Sequence, residues 1–324
     1  MSKSVALAML ILATLTLHAG MVLADVDWNS SERNLAGAAY YRAHANVRLG
    51  AQQRLPNGVA WRLLTDAKTR LAMPRITWMP DIQGMGTANR LFDVVHGSLL
   101  EYAAQTMEEF NELDENRRSR GDVPLSVDYP VVQTEVRLTY ASSKLAGMVD
   151  THYTVTEGHY YPEDTDALTF DLLHATIFGI SACSGSNSLY GDDASPKSAA
   201  RYRMFRFGEI LKVCDGDSLR DFIRILREHA KKAAAGASDD RHPFVTQCIE
   251  NFRNPTGIDE SSRLRLYLTF KGLAVQVAFD HLSNADNSAC TFAHTALNPI
   301  IIPYVELEPF MQPGPWRDEF LKSH

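Results

Sequence analysis

The sequence predicts an α+β fold, an antiparallel sheet with two amphipathic helices packed on one face. Three observations predict it: a hairpin pattern over residues 263–279, alternating segments over 132–173, and helical periodicity at 88–116 and again from Asp217 or Ser218. In the hairpin, Leu264, Leu266, Leu268 and Phe270 alternate with Arg263, Arg265, Tyr267 and Thr269, the period of a strand with one face buried. Leu273, Val275, Val277 and Phe279 alternate likewise beyond Lys271-Gly272. A Lys271-Gly272 turn sets Phe270 opposite Leu273, Leu268 opposite Val275 and Leu266 opposite Val277, with Gly272 supplying the positive φ that a tight turn needs. All the apolar residues then share one face, and a slide of one residue would destroy the match.

Taken in order, residues 25–73 are rich in Ala, Arg and Asn, with a turn at Pro56-Asn57-Gly58 and a helix expected over 61–73, ended by Pro74. Residues 25–74 are read as an N-terminal extension to a module spanning 75–324. Residues 75–80 read as a short strand. Thr87 then caps a long helix whose apolar stripe is Ala88, Leu91, Phe92, Val95, Leu99, Tyr102, Thr106, Phe110 and Leu113. Charges and Gly121 end it. Val132, Thr134, Val136, Leu138 and Tyr140 form one strand pattern, and Leu145, Gly147, Val149, Thr151, Tyr153 and Val155 a second. After a turn at Glu157-Gly158, residues 167–173 form a third, so a meander is the simplest pairing. Residues 184–199 are small and polar and read as a surface loop. Ser218 with Asp221 makes a capping box for the second helix, whose stripe is Leu219, Phe222, Ile223, Leu226, Ala230 and Ala233, with Gly236 as its stop. Residues 299–302 form a last strand and 305–311 a short terminal helix. No internal repeat is present.

The N-terminus has the layout of a secretory signal over residues 1–24: Lys3, an apolar run from Val5 to Leu17, then Val22-Leu23-Ala24 before Asp25. An uncleaved anchor is disfavoured because the run is barely long enough to span and contains His18 and Gly20. No later stretch is apolar for long enough to cross a membrane, so a periplasmic or secreted protein without a span is expected. The net charge of -7 disfavours nucleic acid, whose binding needs clustered Lys and Arg. It mildly favours a basic partner. Cys183, Cys214, Cys248 and Cys290 make an even set, so two disulfides are expected in an oxidising compartment. Spacing leaves three connectivities open, and the sequential pairing Cys183–Cys214 with Cys248–Cys290 is preferred. No CxxC is present to suggest zinc.

Catalytic signals are weak. Gly179-Ile180-Ser181-Ala182-Cys183 nearly spells a nucleophile elbow, but a cysteine replaces the closing glycine. His152, His159, Glu163 and Asp164 are legitimate ligand types, yet a seven-residue separation puts the two His on opposite strand faces, so no metal is expected. There is no P-loop and no GxGxxG, so no cofactor is expected. Tyr153, His159, Tyr160 and Tyr161 gather about the Gly158 turn and are the candidate ligand-binding residues, since tyrosine supplies rigid amphipathic area. Covering a sheet edge is the plainer role for them.

The hairpin and its sequel, LRLYLTFKGLAVQVAFDHL followed by IIPYVELEPFM, resemble the end of the extracytoplasmic sensor module of the anti-sigma factor RsiV. Its relatives are of unknown function, some fused to peptidoglycan deacetylases. Gly272, Ile302-Pro303-Tyr304 and Leu307 match the family's turn and terminal segment. RITWMPDIQG resembles its opening strand, TEGHYY stands at its Gly-Gly-Ala-His turn, Phe170-Asp171-Leu172 at a strand with an Asp, and residues 207–211 at its segment before the second helix. Only Met1 to Ser4 precede the apolar run, so no anti-sigma role is expected. The resemblance implies an RsiV-like fold and a cell-envelope setting, with a lysozyme-like protein or peptidoglycan as ligand. A non-enzymatic binding protein is the expectation; a peptidoglycan-modifying hydrolase with a site assembled in space is the alternative.

Overall fold

The computed structural model describes residues 31–122, 132–156, 159–178, 211, 216–235, 243–258, 263–278, 299–313 and 315–322. Helices and antiparallel sheets share the chain, as the α+β class requires. The first sheet has β3 (Ala60–Asp66) at its centre. Strand β4 (Ala72–Trp78) pairs along one edge of it, and β1 (Val47–Leu49) and β2 (Gln53–Arg54) share the other. The second sheet is the expected meander of β5 (Val132–Ala141), β6 (Leu145–Thr156) and β7 (His159–Asp171), extended by β8 (Thr176–Phe178). The third joins β9 (Arg263–Thr269), β10 (Gly272–Ala278) and β11 (Ile300–Ile302) in the order β11-β10-β9.

One core lies under the long helix α2 (Ile82–Ser119), along which α1 (Ser31–His44) packs. Leu91, Phe92, Val95 and Leu99 of α2 meet Trp61, Leu64, Met73 and Ile76 of the first sheet and Leu138, Met148 and Phe170 of the second. The Phe92 and Phe170 rings meet edge to face, with centroids 4.9 Å apart. The helix starts before Thr87: Asp81 is the N-cap, its carboxylate accepting from the Gln83 N–H, and Gly84 and Gly86 lie inside the helix. Gly84 is there because Asp81 folds back over it; a Cβ would stand 2.5 Å from Asp81 Oδ2. The helix expected over 61–73 is two strands instead. Its apolar content fits either element, and the turn chemistry of Asp66, described below, decides for the hairpin. Pro74 sits opposite Leu63 on β4, which among the described residues pairs only with β3, and an edge strand tolerates a residue without an N–H. Strand β4 also runs through the 74/75 boundary, so the extension and the module share one sheet and one core at that point.

The other core lies on the hairpin. Leu264, Leu266, Leu268, Leu273, Val275 and Val277 form one apolar face, covered by Phe222, Ile223, Leu226 and Ala230 of α3 (Gly216–Ala235) and by Ile249 and Phe252 of α4 (Pro243–Arg253), a helix the sequence reading missed. Helix α5 (Tyr304–Leu307), the turn that follows it and α6 (Pro315–Lys322) close the end, adding Tyr304, Leu307, Phe310 and Phe320. The two predicted helices therefore serve different cores rather than one face of one sheet. The register also differs. Leu268 pairs with Leu273, Leu266 with Val275 and Leu264 with Val277, so the turn is Phe270-Lys271. The slide is two residues, which leaves each side chain on its face. Gly272 (φ 148°) is instead demanded by β11: a Cβ there would lie 2.2 Å from the Ile302 carbonyl oxygen. The second hairpin face, expected to be polar and open, is buried at Tyr267 and Ala274. Tyr267 and Ala274 meet Val149, because β9 lies across β5, β6 and β7. Burial pushes the Tyr267 phenol up to about 12, the nearby Arg137 charge drawing it back.

Candidate functional site

Where β5 meets the first sheet, a cleft of about 830 Å³ opens, lined by Arg48, Leu63, Thr65, Asp66, Ala67, Arg70, Ala72, Glu135 and Val136. Strand pairing builds it. Arg48 of β1 stands directly opposite Thr65 of β3, and Thr65 opposite Ala72 of β4, so the three form a row across one sheet face. Leu63, two residues back along β3, continues that face. Glu135 and Val136 enter from β5. Ala72 and Val136 are buried and form a floor, whereas Arg48, Arg70 and Glu135 are exposed at the rim. Among the described residues, none of these three charged side chains makes a hydrogen bond or ion pair.

Arg70 stands in the cleft because of the turn between β3 and β4. Asp66 Oδ1 accepts from the Lys68 and Thr69 N–H groups at 3.0 and 2.8 Å and from the Thr69 hydroxyl at 3.0 Å, and Oδ2 accepts from the Asn46 N–H at 3.0 Å. The Asp66 carbonyl accepts from the Arg70 N–H, and the Asp66 N–H donates to Leu71. Burial of Asp66 (2% exposed) would raise its carboxyl, but these hydrogen bonds hold it below the usual range. The turn leaves Arg70 at φ 59°, in the left-handed region. Glycine would avoid a cost of about 1–2 kcal/mol there. An arginine kept at such a position is a pointer to use of its side chain. Sequence reasoning missed Arg48, Arg70 and Glu135. The one local signal was the Asp66 turn sequence DAKTR ending without glycine.

The predicted binding residues fall at the β6–β7 turn end of the second sheet, starting two rungs beyond the Glu135–Thr151 pair. Tyr153 lies on β6, opposite Pro162; His159, Tyr160 and Tyr161 lie on β7, opposite Thr156, Val155 and Thr154. Glu157 and Gly158, and the side chains of those four residues, lie outside the described set. His152 pairs with Asp164, while His159 pairs with Thr156. The two His backbones are thus about 13 Å apart along the ladder. Among the described residues no three His, Cys, Asp or Glu side chains gather as a metal site. The elbow-like segment 179–183 lies outside the described residues, as do Cys183, Cys214 and Cys290; Cys248 lies on α4.

Three other polar groups are fixed by the fold. The Asp171 carboxylate, 5% exposed, meets His174 Nδ1 at 2.5 Å and accepts from the Leu173 and His174 N–H groups in the β7–β8 turn. Glu319 of α6 accepts from the Tyr140 and Ser142 hydroxyls and meets Lys144 Nζ at 3.6 Å, fastening α6 to the β5–β6 turn. Helix α2 buries His96 completely, and among the described residues neither ring nitrogen meets a partner at full hydrogen-bond geometry. Desolvation drives its pKa to about 4, outweighing the opposing pull of the Leu71 backbone and of Asp66.

Among the described residues no helix is long and apolar enough to cross a membrane. No family model matches the chain, and no curated protein matches it. Among solved structures, the chain is similar to a crystal structure of a member of the DUF3298 family from Bacteroides fragilis, at 13% sequence identity and a TM-score of 0.41, covering 86% of this chain and 99% of that one.

Proposed function

We propose that this chain is an exported, non-enzymatic cell-envelope protein with an RsiV-like module, and that it binds peptidoglycan. The observation that carries the binding role is the cleft, whose rim holds Arg48, Arg70 and Glu135, none with a partner among the described residues. Charged groups left free around an apolar floor suit a polar ligand better than they suit stability. Peptidoglycan strands carry short peptides with free carboxylates and amines, which these groups can pair. The signal-like residues 1–24 support export, and the even cysteine count supports two disulfides, Cys183–Cys214 and Cys248–Cys290. Thiol titration of the denatured, unreduced protein is expected to find none free.

A lysozyme-like protein is the second reading, favoured by the net charge of -7. The hydrolase alternative has one supporting observation, the Asp171–His174 pair, in which a buried carboxylate orients an exposed ring. Calorimetry of the exported chain with soluble peptidoglycan fragments and, separately, with lysozyme decides between them. Fragment binding without fragment cleavage is expected. Heat from lysozyme alone would move the partner to protein, and release of new products would make the chain an enzyme.

A further inference from the structure

We infer that the cleft between the first sheet and β5 is a site for a short zwitterionic peptide, its carboxylate held by Arg48 and Arg70 and its amine by Glu135. The inference rests on the envelope-binding reading for the biological source of the peptide, not for its chemistry. Three features converge on it. The rim carries two guanidiniums and one carboxylate with no ion pair or hydrogen bond among the described residues, so a ligand would meet them unengaged. A guanidinium presents N–H donors in a planar fork that matches a carboxylate, and two of them distinguish an acid from its neutral amide. Asp66, the other acid of the lining, is committed to the turn through both oxygens and does not compete for the amine.

The second feature is the floor. Leu63, Ala72 and Val136 offer apolar area between the charged groups, with the Thr65 residue in the same row as Arg48. A volume of about 830 Å³ accommodates a few residues of extended peptide and not a folded protein. The third is the backbone of Arg70. A hairpin turn closing in the left-handed region takes glycine most cheaply, yet this one carries the longest basic side chain and directs it to the cleft.

That backbone makes a discriminating test. Arg70→Gly relieves the left-handed strain, so the variant should melt at or above the parent temperature while losing the ligand. Titration of the full exported chain with trialanine, trialanine amide and N-acetyl-trialanine, followed by calorimetry or NMR shifts, reads the site directly. Trialanine is expected to bind, and amidation, Arg70→Gly or Arg48→Gln each to weaken it about tenfold or more. Glu135→Gln should weaken trialanine and leave the N-acetyl form unchanged. The inference is overturned if trialanine does not bind at millimolar concentration, if the amide binds as well as the acid, or if Arg70→Gly keeps parent affinity. Peptidoglycan fragments titrated in parallel separate the two levels. Fragments binding undiminished to both arginine variants would remove the cleft and keep the envelope role; trialanine binding without fragment binding would do the reverse.

Discussion

The two cores of this protein are built alike and filled differently. Each sets helices against antiparallel strands. Among the described residues, the buried hydrophobic cluster of the hairpin core includes two tyrosines, and both hydroxyls donate: Tyr140 to Glu319 at 3.0 Å and Tyr304 to the Thr269 carbonyl at 2.7 Å. The core under α2 encloses His96 and Asp66 and is edged by the Arg75–Asp93 ion pair. Burial raises the Asp93 carboxyl in spite of Arg75 beside it. Buried polar groups cost stability unless satisfied, so the second pattern is the dearer one. It is also the pattern that borders the cleft, through Asp66. One half of the molecule is organised for cohesion, the other around groups whose charge matters.

The largest effects should come from emptying either core. Phe222→Ala and Phe92→Ala each remove a ring that is 0% exposed and should each cost about 3–5 kcal/mol. Because β9 lies across the second sheet, both are expected to lower one shared transition in urea unfolding followed by tryptophan fluorescence and circular dichroism. Two separate transitions would mean that the cores unfold independently. Next comes Gly272→Ala, which sets a methyl against the Ile302 backbone at φ 148° and should cost about 3 kcal/mol. Gly121→Ala, at φ 81° with nothing within 4 Å, isolates the backbone penalty and should cost only about 1 kcal/mol. Equal costs at the two sites would remove the close approach as the reason for Gly272.

The smallest effect at neutral pH, and the sharpest contrast between the cores, belongs to His96. Its folded pKa, about 4, lies below the ordinary value of 6.5. The unfolded chain therefore takes up a proton that the folded one refuses, and stability falls as pH drops from about 6.5 towards 4. The loss should approach roughly 3 kcal/mol. Asp66, held low, adds a further loss at still lower pH as it protonates. His96→Leu should leave stability at pH 7 unchanged or raised and flatten the decline between pH 6.5 and 4, read from urea midpoints across that range. An unchanged decline would assign the acid sensitivity elsewhere.

Some of this was legible residue by residue. The alternation of residues 264–277, the meander and the two amphipathic stripes each describe an element whose neighbours lie close in the chain. Even so, the hairpin register was misplaced by two residues and its turn by one, because pairing Leu268 with Val275 or with Leu273 hides the same side chains. Residues 61–73 could form either element on apolar content alone. The cleft was not legible: Arg48, Arg70 and Glu135 stand far apart in sequence and share no motif, whereas the tyrosines near Gly158 drew attention by being adjacent.

By itself the amino-acid sequence determined the α+β class, the meander, both long helices and the two faces of the β9–β10 hairpin, because periodicity is a local consequence of which side chains must leave water. Only the tertiary structure decided the hairpin register, the need for glycine at residue 272, the burial of Tyr267 and the meeting of two arginines with a glutamate over an apolar floor. Those depend on which strand arrives beside which. Contacts between distant segments are set by the summed fit of whole surfaces, and no single stretch of chain carries that sum.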